Sequence, residues 1–260
     1  MRDAWFRALV SLPFGLAVGS FMTVAVWRMP RGESVATPRS RCPSCGTEIS
    51  PRDNVPVVSW LLLRGRCRAC GAPISSEYPL TELATATLVV AAVARYESLW
   101  QGIMIALLLA MVPAIAIVDV RHRIIPNRLM YPSLVAFPVY VVIGWLLGGP
   151  LDPPRAAIGL LAFGGGLLVV AMVSRGMGMG DVKLAGVIGV AFGAIGLGDV
   201  GVAAAAAVVL GGIGGLVALG MGRGRKSAIP FGPYLAAGAV VAAFWGPQLA
   251  HWYLRTFVPA

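Results

Sequence analysis

The chain is predicted to be an all-α polytopic membrane protein of about eight transmembrane helices, interrupted near its start by a cysteine-rich loop. Three observations predict this. Of 260 residues, 58% are hydrophobic and only 12% are charged, and the mean hydropathy of +0.80 implies more apolar surface than one soluble core can hide. Apolar runs of about 20 residues, the length that crosses a bilayer, recur along the chain. The four cysteines, Cys42, Cys45, Cys67 and Cys70, all fall in the long polar stretch after the first run.

The apolar runs divide near residues 6–27, 79–98, 100–118, 128–148, 155–174, 182–198, 200–220 and 231–254. The first is long enough to span and leads into no small-residue cleavage site, so it is expected to be a retained helix and not a signal peptide. The second contains Glu82 and Arg95 and the sixth is short, which predicts tilting, re-entry or shielding by neighbours for those two. The resulting organisation is a first helix at 1–29, a four-cysteine loop at 30–78 and a core of about seven helices at 79–260.

The net charge of +10 would point to nucleic acid if the basic residues formed a stripe. They do not. Arg28, Arg31, Arg39, Arg41, Arg52, Arg64, Arg66 and Arg68 lie in the cysteine loop, Arg121, Arg123 and Arg128 after the third run, Arg175 and Lys183 after the fifth, and Arg223, Arg225 and Lys226 after the seventh. Only Arg2, Arg7, Arg95, Arg155 and Arg255 are left for the opposite face. By the positive-inside rule the first set is cytoplasmic, both termini are outside, and the lipid bilayer rather than nucleic acid is the expected partner.

In so apolar a chain, an ionisable group at the mouth of a span is a functional candidate. Asp119 closes the run Ile115-Ala116-Ile117-Val118, and Asp181 follows Gly176-Met177-Gly178-Met179-Gly180 at the start of another. Both are placed at the cytoplasmic face. Glycine permits close backbone approach, so Gly178 and Gly180 belong to the proposal as much as Asp181. Two neighbouring carboxyl groups do not readily both ionise, and a pair sharing one proton supplies base and acid for amide hydrolysis. The alternative is that Asp119 pairs with Arg121 or Arg123 while Asp181 is a helix N-cap. A second glycine-rich string, Gly196-Leu197-Gly198-Asp199, falls on the opposite face, where Asp199 is expected to be a solvated turn residue.

These residues resemble the type IV prepilin peptidases, membrane aspartic peptidases with a Gly-x-Gly-Asp motif. Gly176 to Leu184 is similar to the family's second catalytic motif, and Val118-Asp119 followed by Ile125-Pro126-Asn127 to the first. Gly19-Ser20-Phe21, the cysteine pairs, Tyr78-Pro79 with Glu82, and Ile229-Pro230-Phe231-Gly232-Pro233 fall in family order. Thr23 departs from it, standing where many relatives have asparagine. The resemblance implies cleavage of basic leaders from prepilin or pseudopilin precursors at the cytoplasmic face of the bacterial plasma membrane, with Asp119 and Asp181 catalytic. It also implies N-methylation of the new amino terminus from S-adenosylmethionine, for which the glycine strings here offer no nucleotide-binding context.

Cys42-Pro43-Ser44-Cys45 and Cys67-Arg68-Ala69-Cys70 are two C-x-x-C pairs separated by 21 residues, each followed by glycine. That pattern predicts two knuckles around one structural zinc ion with four thiolate ligands and no open coordination position. Redox cysteines and free thiols are the alternatives. Glu82 is a candidate for orienting substrate, contacting Lys183 or holding a leader amine, with a plain interfacial ion pair as the other reading. His122 is expected to be solvated, and His251, Trp252 and Tyr253 to anchor the last span at the interface. A proton-coupled transporter and a zinc-stabilised membrane scaffold are the competing functions. Nothing in the sequence sets an oligomeric state.

Overall fold

Each predicted run folds as a helix because it is apolar along its length and leaves its backbone no solvent to bond. The computed structural model describes residues 2–174, 177–222 and 230–258. The helices are α1 (Arg2–Arg28), α2 (Val58–Leu62), α3 (Glu77–Arg95), α4 (Leu99–His122), α5 (Asn127–Leu146), α6 (Pro153–Gly159), α7 (Gly166–Ser174), α8 (Met179–Gly193), α9 (Leu197–Gly220) and α10 (Gly232–Phe257). A π-helical turn, Leu160–Gly165, joins α6 to α7. No strand occurs among the described residues, only isolated bridges at Arg41–Glu48 and Arg66–Pro73. Arg175, Gly176, Arg223, Arg225, Lys226 and Ile229 lie outside the described residues.

Among the described residues, five segments are long and apolar enough to cross a membrane: Trp5–Arg31, Leu99–His122, Asn127–Leu146, Pro153–Ser174 and Leu197–Gly220. At 15 residues, α8 is about 22 Å long, against a hydrocarbon core of about 30 Å. It does not need to meet lipid on every side. Of its side chains, Leu184, Val187, Ile188 and Phe192 are all but fully buried, and α4 contributes Met104, Ile105, Leu108 and Leu109 to the same core. Around these two central helices pack α1 with α3, α5 with α6, and the α9–α10 hairpin. The outward surface is apolar too, with Leu161, Val173 and Leu216 exposed, as a bilayer solvent requires.

Glycine sets how closely α8 is held. A Cβ at Gly159 would sit 2.1 Å from the Gly189 carbonyl oxygen, and one at Gly189 would sit 2.2 Å from that of Gly159. The α6 and α8 backbones therefore touch directly, the contact that small residues allow in membrane helices.

The two chain ends share a face. Near the start of α1, Arg7 Nη1 donates to the Glu97 carbonyl at 2.6 Å, and Tyr96 Oη, in the same turn, donates to the Ala243 carbonyl of α10 at 3.1 Å. The cysteine loop and the first turn of α10 lie at the other end of the bundle.

Candidate active site

Asp119 occupies the last turn of α4, where its main-chain carbonyl accepts the N–H of Arg123, the left-handed residue that ends the helix. Its side chain is 4% exposed, and Oδ2 accepts the main-chain N–H of Gly232 at 2.9 Å. Gly232 begins α10, so the donor is an N–H that the helix leaves free. Neither alternative ion pair forms among the described residues: Arg121 pairs with Glu77, and Arg123 contributes only its main-chain N–H, as the helix cap.

Asp181 lies in the first turn of α8, whose N-cap is Gly178 and not the aspartate itself. Its Oδ1 is buried and has no hydrogen-bond partner among the described residues. An orphaned carboxylate oxygen is costly in a core and expected where water or substrate must bind.

The two motifs meet side by side. A Cβ on Gly180 would stand 2.8 Å from Ile125 Cβ, so only glycine lets the start of α8 rest on the turn that follows Asp119. Lys183 Nζ then donates to Asn127 Oδ1 at 2.6 Å and to Tyr131 Oη at 3.0 Å, clamping α8 to α5, with the Tyr131 ring under the ammonium.

The cysteine loop forms two matching knuckles. Cys42 N–H donates to Thr47 and Cys67 N–H to Ala72, while Gly46 and Gly71 turn back onto the carbonyls of Cys42 and Cys67 with φ of 71° and 72°. All four sulfurs lie within 4.8 Å of one another, and those of Cys42 and Cys70 are 3.9 Å apart. Tetrahedral zinc with Zn–S of about 2.3 Å needs sulfurs about 3.8 Å apart, so the donor set can hold a metal ion. Hydrogen bonding from Thr47, through its side chain and then its backbone, holds the Cys45 thiol down at about 6. Cys70 moves the other way, to about 11, because the Ala72 amide that lowers it is outweighed by Cys45, burial and the other two thiols. Crowded thiols resist joint ionisation, and a bound dication removes that conflict.

Two family models match the chain: the Bacterial Peptidase A24 N-terminal domain over residues 14–96, and the Type IV leader peptidase family over residues 103–247. The chain belongs to the type IV leader peptidase family. Relatives called prepilin leader peptidase/N-methyltransferase include one from Aeromonas hydrophila, 34% identical over 98% of this chain and 96% of its own. The relative from Bacillus subtilis is 34% identical over 93% of this chain and 96% of its own, and that from Pseudomonas aeruginosa 32% over 95% and 93%. No solved structure matches the chain.

As a type IV leader peptidase the chain is an enzyme, and Glu82 can be reconsidered in that light. It is 8% exposed in α3, and its Oε2 accepts the Val57 N–H of the cysteine loop at 2.7 Å, not a lysine. Val57 has φ 61° and ψ −50°, a strained conformation for a β-branched residue, and the Val58 N–H closes the tight turn onto Pro56 at 2.6 Å. Glu82 thus fastens the loop to the helical core of this leader peptidase.

Asp199 departs from expectation. It is not solvated but 6% exposed in the first turn of α9, because Gly246 lets α10 close over it; a Cβ there would lie 2.4 Å from Asp199 Oδ1. It shares the Tyr96 face, away from the other two aspartates. His122 is exposed, as are His251, Trp252 and Tyr253.

The residue that sequence reasoning left without a role is Gly232. A Cβ on it would stand 2.7 Å from Asp119 Oδ2, so Gly232→Ala is expected to displace that carboxylate and reduce peptidase activity about 100-fold, the scale of a 1 Å misplacement. Gly212, with open space at its Cβ, is the control: Gly212→Ala should leave the rate unchanged. Equal rates for the two variants in a cleavage assay would show that the Gly232 contact is dispensable.

Proposed function

We propose that this leader peptidase is a membrane aspartic endopeptidase that removes the basic leader of type IV prepilin-like precursors at the cytoplasmic face of the bacterial plasma membrane. Asp119 and Asp181 are the acid/base pair. The observation carrying this reading is the junction of the two motifs, where Gly180 rests on Ile125 and Lys183 on Asn127, so that both carboxyl groups open at one end of the bundle. One carboxylate takes a proton from water as its oxygen attacks the scissile carbonyl carbon. The other, protonated, gives its proton to the leaving nitrogen as the C–N bond breaks. The Gly232 N–H fixes Asp119 as an acceptor, while the buried Asp181 Oδ1, without a partner among the described residues, is left to bond the attacking water or the substrate when either enters the site.

Eight spans, counting α6 and α7 as one, put the chain termini outside and the cysteine loop, residues 30–78, in the cytoplasm, in keeping with the arginine distribution. There the four cysteines hold a structural zinc ion. The midplane between α4 and α8 is filled by Met104, Leu108, Ile188 and Phe192, which disfavours a transporter with a site at that depth.

Methylation of the new amino terminus from S-adenosylmethionine rests on the names of the relatives. Among the described residues the glycines do not form a cradle for it: Gly159, Gly164, Gly186 and Gly189 are used in helix contact, and Gly165, Gly166 and Gly212 face open space. The test is a cleavage assay with purified protein and a pilin precursor, followed by mass spectrometry of the mature product. A mature chain heavier by one methyl group, about 14 Da, is expected only when S-adenosylmethionine is supplied. An unmethylated product under those conditions would confine the enzyme to proteolysis.

A further inference from the structure

Antiparallel neighbours α3 and α4 leave an open groove of about 510 Å³ between them on the outside of the bundle. One end is polar, with Ser75 and Glu77 at the start of α3. Further along, it is lined by Leu80, Ala84, Pro113, Ala116 and Ile117, a mainly apolar floor. Ala116 is three residues before Asp119, hence about 60° round the same helix and under one turn away. The groove therefore runs along the wall behind which the catalytic carboxylate sits.

A second observation concerns charge. Glu77 is the one acidic side chain lining this groove, in a chain with 21 basic and 11 acidic residues. It carries a guanidinium, that of Arg121 from the far wall, whose side chain is about half exposed. The polar end thus binds a cation, and an exposed ion pair of this kind can be exchanged at little cost. A segment with a basic stretch followed directly by an apolar helix matches the groove end to end. An anionic lipid headgroup does not, because it cannot take the place of Arg121 on Glu77.

We propose that the α3–α4 groove receives the apolar helix of the precursor, with a cation of its leader replacing Arg121 on Glu77. This rests on the prepilin-processing reading and adds to it the route by which substrate reaches Asp119. Arg121 acts as an internal placeholder for the leader. The groove takes the helix side-on, from the membrane, without the bundle having to open.

The test is steady-state cleavage by the full chain in lipid nanodiscs, using a precursor with its natural basic leader and one whose leader lysines and arginines are replaced by glutamine. Glu77→Gln should raise KM about three- to ten-fold for the basic leader, leave it unchanged for the neutral one, and leave kcat unchanged for both. Arg121→Gln should lower KM for the basic leader about two-fold, since the competing cation is gone. Ala84→Trp, which fills the groove, should raise KM about ten-fold for both precursors. A Glu77→Gln effect equal on the two leaders overturns the charge exchange, and an Ala84→Trp enzyme with unchanged KM shows that lipid alone covers the groove. The underlying peptidase reading fails separately, if wild-type enzyme cleaves neither precursor or if Asp119→Asn cleaves both.

Discussion

Asp119→Asn and Asp181→Asn are each expected to reduce precursor cleavage by at least about 10³-fold, because in a two-carboxylate mechanism neither group replaces the other. The amide is nearly isosteric, so it keeps the shape of the site while removing the proton exchange. At Asp119 the amide oxygen can still accept the Gly232 N–H, which separates loss of chemistry from loss of packing. Asp199→Asn is the matched control. Like Asp181 it sits in the first turn of a helix, and like Asp119 it is almost fully buried, but it lies at the opposite end of the bundle. That variant should keep cleavage within a few-fold of wild type. Similar losses at all three positions, tracked by a fall in thermal stability, would mean that the aspartates matter for folding and would remove the case for catalysis.

Loss of the metal from the cysteine loop should have the second-largest effect. Four-thiolate zinc sites contribute on the order of 10 kcal/mol to the folding of the segment that holds them. The loop has little else: α2 is five residues long, and Cys42 and Ser59 are its buried side chains. Elemental analysis of reduced wild-type protein should find about one zinc per chain, and Cys42→Ser should lose it. Because Val57 of the loop is hydrogen-bonded to Glu82, the loss should be felt in the helical core as a lower melting temperature. A metal-free, reduced protein that melts like wild type would rule out zinc as the staple.

The helices and the cysteine knuckles were legible because each depends on residues close in sequence. Apolar runs of bilayer length declare a helix wherever it packs, and C-x-x-C followed by glycine declares a knuckle whose hydrogen bonds stay within about ten residues. The aspartates were legible as exceptions, charges where the pattern is apolar. Asp199 was misjudged because its burial is decided by Gly246, a residue two helices' ends away that has no side chain to signal contact. Likewise Gly180 could be flagged as permissive, but Ile125 as the surface it must clear depends on how α8 meets the turn before α5. The partner of Glu82 was unreadable in principle, since a main-chain N–H in a strained turn has no sequence signature of its own.

The donor that steadies Asp119 has the same character, and this bears on inhibition. A compound that captured the residue 232 amide would contact a group supplied by every amino acid except proline. Resistance usually arises when a cell exchanges a contacting side chain for another. Here that route is closed on both sides, because the atom recognised belongs to the polypeptide itself and the crowding around it admits nothing larger than hydrogen.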